Sequence, residues 1–304
     1  MSEFSLIADI VNELGARAQG RWVEVGPGDD SAVVKPTPGC DWVSSIDSLV
    51  EGVHFPGGVS ADLIGYRAMM VSLSDLAAMG ARPRFVLIAL NLPRADREWV
   101  TDLARGVSQA AADSDVYVCG GNLAQGQLAI SVSVHGEVPT GGAVLRSTAQ
   151  PGDRIWVSGE LGGAAACVRA QHFTVEGTAT PLQQKYYRPR ARVDLIDTLR
   201  TYASACIDIS DGLAQDAGHL AQASNLTLRL ESNLIPVCPG ANLEDALYGG
   251  DDYELLCTTS EECSLEQAGF IEIGGVARGA AGIVLDGQPL QGQGVGYDHF
   301  VESD

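Results

Sequence analysis

Aspartate residues recur beside glycine or serine at the edges of apolar segments in this sequence. The stretch "VEVGPGDDSAVV" places Asp29 and Asp30 after a glycine-containing turn, and "SSIDSLVEGVHF" places Asp47 inside a run of strand formers. The two-residue period of a strand puts Ser45 and Asp47 on one face and Ile46 on the other. Aspartate is disfavoured inside strands, so its position here indicates a chemical role.

The same pattern returns later in the chain. In "CIDISDG", Asp208 and Ser210 share a face of a predicted strand, and Asp211 lies where that strand gives way to a helix. In "YGGDDYELL", Asp251 follows two glycines at the start of another predicted strand. The helix predicted for "MMVSLSDLAAMGA" is apolar on most sides, so Asp75 is expected to be partly buried.

Each of these aspartates, taken alone, is usually explained as a turn former, a helix cap or a solvated surface acid. Five such sites would repel one another if the fold brought them together without a counter-charge. The natural counter-charge is Mg²⁺, which takes oxygen ligands and is commonly held by a few carboxylates together with substrate phosphates. Two interpretations therefore stay open, namely scattered structural acids or a multi-metal site that binds phosphate.

Two familiar phosphate-binding motifs are missing from the sequence. It contains neither GxxxxGK[ST] nor a GxGxxG that opens a helix after a strand, which argues against P-loop and Rossmann sites. "GELGGAAA", starting at Gly159, can direct backbone amides at an anion or simply form a short loop. Arg146 in "VLRSTA" offers a forked donor suited to phosphate, although an exposed linker arginine is an equally good interpretation.

Composition excludes several classes of protein. A net charge of −20 argues against electrostatic binding of nucleic acid. The longest apolar run, "FVLIALNL", is too short to span a bilayer, and the first twenty residues lack the features of a signal peptide. Seven scattered cysteines without a CxxC pair are typical of small core residues in a reducing compartment. We therefore expect a cytoplasmic protein with no nucleic-acid or membrane partner.

The elements that must position these residues interleave helices with adjacent pairs of strands, which predicts an α+β fold. Helical spacing covers about Ala61 to Met79, and an apolar strand starts at Phe85. "VLDGQPL" predicts a hairpin. The stretch Pro139 to Asp153 is rich in Gly, Pro, Ser and Thr and is the expected domain junction. We therefore predict two α+β domains, over residues 1–140 and 150–304.

Eight motifs follow one another along the chain: "GPGDDSAVV", "SSIDSLVEGVHF", "GYRAMMVSLSDLAAMGA", "CGGN", "LRSTAQPGD", "IDISDGLAQDAGHLA", "GGDDYELL" and "GYDHF". In these motifs and their order the sequence resembles the thiamine-monophosphate kinases, from Phe4 to Phe300. Glycine-rich "GDD" and "SDG" elements alone fit the wider aminoimidazole ribonucleotide synthetase-like superfamily, whereas "LVEGVHF" and "GYDHF" are more specific to the kinases.

The resemblance implies a homodimeric enzyme that transfers the γ-phosphoryl group of ATP to thiamine monophosphate with the help of several Mg²⁺ ions. The N-terminal domain would carry the metal and ATP site, and its sheet would join the partner's sheet across the dimer. The acceptor is a phosphate oxygen that is already deprotonated at neutral pH, so no general base is assigned.

The same resemblance implies roles for individual residues. The metal ligands would be Asp30, Ser45, Ile46 through its backbone carbonyl, Asp47, Asp75, Asn122, Asp208 and Asp211. The contacts to ATP or its metals would come from Gly121, Asn122, Arg146 and Ser210. The thiamine monophosphate site would be lined by His54, Asp251 and Tyr297.

Two positions depart from the family pattern. Asn122 stands in "CGGNLAQG" where the family has a metal-binding aspartate followed by a threonine pair, so one ligand brings no charge. Asp251 stands where the family has glutamate and is one methylene shorter. Two alternatives therefore remain open, another ATP-using synthetase of the superfamily and an ATP-binding homologue with low or no turnover.

Overall fold

The computed structural model describes residues 2–20, 22–171, 173 and 179–290. The chain divides into two compact units, each with its own sheet. The first unit comprises Met1–Leu76 and Ala81–Gly141, and the second comprises Ala77–Gly80 and Gly142–Asp304. Helices and mainly antiparallel strands are mixed in both units, so the predicted α+β class is confirmed.

The first unit is built on a four-stranded sheet in the order β3-β6-β4-β5, in which only the β4–β5 pair is parallel. Asp96 caps the third helix by accepting the backbone N–H of Trp99 at 3.2 Å. Apart from the last two residues of α2, which belong to the second unit, the elements of this unit are α1 (Glu3–Leu14), β1 (Val23–Val25), β2 (Val33–Val34), β3 (Cys40–Val50), α2 (Ala61–Ala78), β4 (Arg82–Leu92), α3 (Arg97–Asp113), β5 (Tyr117–Gln125) and β6 (Ala129–Pro139).

The register of β3 against β6 decides which side chains of β3 face the core. Asp47 pairs with Val132 and Ser45 with Val134, and both valines are fully buried. Paired residues of an antiparallel ladder point to the same face, so Ser45 and Asp47 lie on the buried side of the sheet. Ile46 points the other way and is 64% exposed, which confirms the two-residue period expected from the sequence.

Helices α2 and α3 cross with their backbones in close contact. A Cβ atom built on Gly106 would lie 1.9 Å from the carbonyl oxygen of Asp62, and one built on Gly65 would lie 2.3 Å from that of Leu103. Only glycine fits at either point, so the sequence fixes where α2 crosses α3.

The second unit is built on a seven-stranded sheet in the order β13-β12-β9-β11-β7-β10-β8. The only parallel pairing in this sheet of described residues joins β12 to β9. The elements of this unit are β7 (Arg154–Val157), α4 (Gly163–Arg169), α5 (Pro181–Tyr187), α6 (Ile196–Tyr202), β8 (Ala203–Ile209), α7 (Leu213–Ser224), β9 (Thr227–Leu230), α8 (Leu243–Tyr248), β10 (Glu254–Thr259), β11 (Ile271–Ala277), β12 (Gly282–Leu285) and β13 (Gln288–Leu290).

Buried side chains cover both faces of the central strands of this sheet. Trp156 on β7 is fully buried, and its indole N–H donates to the hydroxyl of Thr259 at 2.9 Å. Cys206 on β8 lies directly opposite Cys257 on β10, and burial raises the pKa of both thiols well above the ordinary value. The predicted hairpin is confirmed by the β12–β13 pair, with Asp286 and Gly287 at positive φ in the turn.

Within the described residues, no helix combines the length and the apolar character needed to cross a membrane.

Candidate functional site

The acidic residues of the first unit meet between β3 and α2. Ser45 on β3 donates its hydroxyl hydrogen to Oδ2 of Asp75 on α2 at 2.5 Å. Asp47 projects from the same face of β3, close enough to Asp75 for their charges to interact. Two strand residues and one helix residue thus form a compact set of oxygen donors, and both carboxylates are half-buried.

The ionisation of Asp47 reflects this crowding. The pKa of Asp47 is raised from 3.8 to about 6, first by burial and then by the negative charge of Asp75, while a hydrogen bond with Ser72 opposes the shift. The site is therefore electrostatically strained when both acids are charged. A divalent cation between them would relieve that strain, and hard oxygen donors of this kind suit Mg²⁺.

The turn over residues 26–30 has a simple internal structure. Gly28 has a φ of +120°, which glycine adopts without strain. The carboxylate of Asp29 accepts the backbone N–H of Asp30 at 2.8 Å, so Asp29 stabilises the turn itself. Asp30 is exposed.

His54 lies in the turn that follows β3. Its ring Nδ1 accepts the backbone N–H of Val50 at 3.0 Å, and the backbone N–H of His54 donates to the carbonyl of Val50 at 2.9 Å. A backbone N–H can only donate, so Nδ1 must be unprotonated, and in the neutral ring the proton is on Nε2. His54 therefore presents a donor at Nε2.

Gly121 and Asn122 lie side by side on β5, and both are exposed. They pair with Ile88 and Ala89 of β4. A Cβ atom on Gly121 would lie 1.9 Å from the carbonyl oxygen of Ile88, so only glycine allows this approach of the two strands. The β4–β5 pairing shifts register at Val86/Leu87, a bulge just before this position.

In the second unit, the predicted site residues cluster where β8 ends. Asp208 lies on β8 and is 4% exposed, and Ser210 and Asp211 follow in the turn before α7. Gly212 has a φ of +114° at the start of that helix, as expected for the predicted change from strand to helix. The backbone carbonyl of Arg146 accepts the hydroxyl hydrogen of Ser224 at 2.8 Å, which fixes the exposed segment that carries the guanidinium.

Asp216 on α7 is a site residue that the sequence motifs did not single out. It is 2% exposed, and its Oδ2 accepts the backbone N–H groups of Ser210 and Asp211, both at 3.0 Å. The pKa of Asp216 is raised to about 8, first by burial and then by the negative charges of Asp208 and Asp211, while its two backbone hydrogen bonds oppose the shift. Oxygen and nitrogen atoms of Asp211, Asp216 and His219 lie within 4.8 Å of one another.

The loop that carries Asp251 differs from its predicted form. We expected Asp251 at the start of a strand, but that prediction is wrong, because β10 begins only at Glu254. Asp251 and Tyr253 have φ values of +72° and +52°, which no strand allows. The Tyr253 hydroxyl donates to Oδ1 of Asp251 at 3.0 Å, and the Asp251 N–H donates to the carbonyl of Ser210 at 2.8 Å.

The glycine-rich turn at Gly159 binds a carboxylate of the chain itself. Both carboxylate oxygens of Asp252 lie 2.8–2.9 Å from the backbone N–H of Gly162. Asp252 is 4% exposed, and burial raises its pKa to about 8. Of the two interpretations of "GELGGAAA", the short structural loop is the one that these contacts favour.

Each unit thus groups part of the predicted set. Ser45, Asp47 and Asp75 meet in the first unit, where Asp30, His54 and Asn122 lie on separate turns or on another strand. In the second unit, contacts of Ser210 join the 208–212 turn to the Asp251 loop. Tyr297 lies outside the described residues.

Comparison with known proteins gives the same two-part division. The sequence matches the family description "AIR synthase related protein, N-terminal domain" over residues 28–138. It matches "AIR synthase related protein, C-terminal domain" over residues 150–268.

Relatives cover nearly the whole chain. The thiamine-monophosphate kinase of Salmonella typhimurium is 37% identical over 320 aligned positions, which cover 98% of each chain. The crystal structure of the thiamine-monophosphate kinase from Stenotrophomonas maltophilia K279a is 36% identical, with a TM-score of 0.86 over 95% of this chain and 98% of that one.

A second solved structure is described as AaThiL complexed with AMPPCP and TMP. It is 34% identical, with a TM-score of 0.81 over 98% of this chain and 97% of that one. These likenesses confirm the resemblance inferred from the motifs. The chain belongs to the AIR synthase related protein family and, within that family, to the thiamine-monophosphate kinases.

Proposed function

We propose that this protein phosphorylates thiamine monophosphate with ATP, giving thiamine diphosphate and ADP. The observation that carries the proposal is the near full-length likeness to AaThiL complexed with AMPPCP, an ATP analogue, and TMP. The clusters of acidic residues in the two units support it, because they can hold Mg²⁺. Transfer between phosphates requires charge neutralisation and positioning more than covalent chemistry.

In the first unit, the proposed metal ligands are Asp30, Ser45, the carbonyl of Ile46, Asp47, Asp75 and Asn122. In the second unit they are Asp208 and Asp211. Mg²⁺ bound by these oxygens would neutralise the phosphate charges during transfer. Gly121, Asn122, Arg146 and Ser210 are the proposed contacts to ATP or its metals.

The chain's own groups then orient the acceptor. His54 is held by Val50 so that Nε2 carries the proton, and it can donate a hydrogen bond to an anionic oxygen of thiamine monophosphate. Asp251 is held by the Tyr253 hydroxyl and would contact the cationic part of the same substrate. Tyr297 is proposed to line this site as well. No residue needs to remove a proton, because the acceptor oxygen is already deprotonated.

Turnover of the purified protein with ATP, Mg²⁺ and thiamine monophosphate tests the proposal. Phosphorus NMR should show ADP and thiamine diphosphate forming in equal amounts, with no ADP when thiamine monophosphate is omitted. Absence of product at every Mg²⁺ concentration would contradict the proposal. ADP formation only with a different acceptor would favour another synthetase of the superfamily.

Asn122 favours a second candidate, an ATP-binding homologue with low turnover. An amide oxygen can ligate Mg²⁺ but adds no negative charge to the site. If the amide limits activity, Asn122→Asp should lower the Mg²⁺ concentration for half-maximal rate and raise kcat. Gln125→Glu adds the same charge on the same strand and serves as the control. Equal effects of both variants would rule out a specific role for position 122.

We also infer a homodimer formed through the first sheet. The face of that sheet opposite Asp47 carries Trp42 and Ile46, which are 43% and 64% exposed. Large apolar side chains on an open sheet face are typical of protein–protein contacts. A cytoplasmic location is supported by the seven cysteines, all of which are free thiols.

A further inference from the structure

The turn between β8 and α7 is held by a carboxylate from inside the helix that follows it. Asp216 lies in the first turn of α7 and is almost fully buried. Its Oδ2 accepts the N–H groups of Ser210 and Asp211, two consecutive residues of the turn. Gly212, directly before the helix, has no side chain to accept a hydrogen bond, and both amides that Asp216 binds lie before Gly212, in the turn itself.

The same peptide unit also holds the loop that carries Asp251. The carbonyl oxygen of Ser210 accepts the N–H of Asp251 at 2.8 Å. A Cβ atom on Gly250 would lie 2.5 Å from that oxygen, so the loop approaches Ser210 as closely as glycine permits. The neighbouring carbonyl of Ile209 accepts the N–H of Tyr253 at 2.8 Å. The positive φ values of Asp251 and Tyr253 therefore occur in a loop bonded to the end of β8.

We propose that Asp216 is a positioning residue that holds the 208–212 turn and, through Ser210, the Asp251 loop in one fixed arrangement. This inference rests on the proposed function, in which Ser210 and Asp211 serve ATP and its metals while Asp251 serves thiamine monophosphate. Asp216 reaches neither substrate in this scheme. It acts by fixing the backbone amides of Ser210 and Asp211. A displacement of the 208–212 turn would therefore also displace the Asp251 loop, which is bonded to Ser210.

Neutral substitutions of Asp216 distinguish a role as hydrogen-bond acceptor from a role of its negative charge. The amide oxygen of Asp216→Asn can accept the same two N–H bonds, whereas Asp216→Ala leaves two amides without their acceptor. Asp216→Ala should raise KM for both ATP and thiamine monophosphate by about tenfold or more, the size expected for a lost buried acceptor. Asp216→Asn should lose far less. An Asn variant as impaired as the Ala variant would overturn the proposal, because the charge would then be what matters.

Hydrogen exchange of the full chain provides a readout that does not depend on turnover. In Asp216→Ala, the amides of Ser210, Asp211 and Asp251 should exchange faster, while those of β11 should not change. Faster exchange throughout the second unit, or unchanged exchange at Asp251, would overturn the proposal. If Asp216→Ala shows this exchange pattern and the wild-type protein shows no turnover, the proposed function fails and the positioning role stands.

A second variant keeps the test decisive if Asp216→Ala does not fold. Gly250→Ala places a methyl group 2.5 Å from the Ser210 carbonyl oxygen and should raise both KM values. Gly275→Ala is the matched control, because its Cβ would lie 3.5 Å from its nearest neighbour, the carbonyl of Asp153. Unchanged KM values for Gly250→Ala would contradict the proposed link between the two loops.

Discussion

At the scale of single residues, Asp47 is the acid whose charge depends most on its surroundings in the first unit. It is half-buried on β3, and its pKa of about 6 results from burial and from Asp75. A carboxylate that is costly to ionise without a nearby cation is suited to bind one.

The first prediction concerns this acid pair. Asp47→Asn and Asp75→Asn should each lower kcat by at least about 100-fold, the size of effect seen when one electrostatic contact to a reacting group is removed. Asp102→Asn, an acid on the surface of α3, should have near wild-type rates. Circular dichroism and steady-state turnover of the three variants check this. Near-normal rates in either site variant would mean that the metal assignment is wrong.

The sequence could predict part of this site because strand geometry is regular. The two-residue period was enough to place Ser45 and Asp47 on one face of β3. Asp216 could not be found in this way, since its role depends on hydrogen bonds to the turn before α7, which no sequence period indicates. The only sequence signal was a charged residue between Leu213 and Leu220 on the buried side of an amphipathic helix.

At the scale of elements, close backbone contacts limit which residues the strands can carry. Gly121→Ala should destabilise the protein by about 1–3 kcal/mol, because the new methyl group overlaps the Ile88 carbonyl. Gly120→Ala is the matched control, since its Cβ would lie 3.5 Å from the nearest atom, on Leu87. Urea unfolding measures both free energies. Equal values for the two variants would contradict the argument.

The ion pair between α4 and α8 predicts a dependence of stability on pH. Two hydrogen bonds from Arg169, at 3.0 and 2.7 Å, lower the pKa of Asp245, burial opposes the shift, and the N–H of Asn242 adds to it. The pair therefore stabilises the fold above the unfolded-state pKa of 3.8, and this contribution is lost as pH falls through the lowered folded-state value.

Removing the cation should expose this dependence. Arg169→Met should be slightly less stable than wild type at pH 6, because the arginine is largely exposed and solvent screens the ion pair. The difference should shrink as pH is lowered below 3.8. Arg278→Met is the control, and thermal unfolding across pH is the measurement. A difference that grows towards low pH would contradict the sign of the effect.

Sequence periodicity predicted most helices and strands, because each of them carries an apolar face of its own. It failed at the Asp251 loop, where "DDYELLCTT" has the composition of one continuous strand. Asp251 and Tyr253 have positive φ values, so β10 begins only at Glu254. Their N–H groups bond to the carbonyls of Ser210 and Ile209, more than forty residues earlier in the chain. Local pattern carries no information about such contacts.

At the scale of the whole molecule, the open face of the first sheet predicts self-association. Ile46→Lys should weaken the dimer by about tenfold or more, because a charge would be buried at the interface without a partner. Ile271→Lys, which replaces a 37% exposed isoleucine on β11, is the control and should remain dimeric. Sedimentation velocity distinguishes the two. A monomeric wild type, or an unchanged Ile46→Lys dimer, would contradict the inferred interface.

The facing thiols of Cys206 and Cys257 can report when strands β8 and β10 of the second unit separate. Alkylating reagents attack the thiolate, which both residues form only at high pH while they remain buried. Cys40 and Cys263 are partly exposed and should label early, as an internal reference. The later labelling of the β8–β10 pair then records how often these strands separate, so a mass spectrometer can time the unfolding of the unit without any engineered probe.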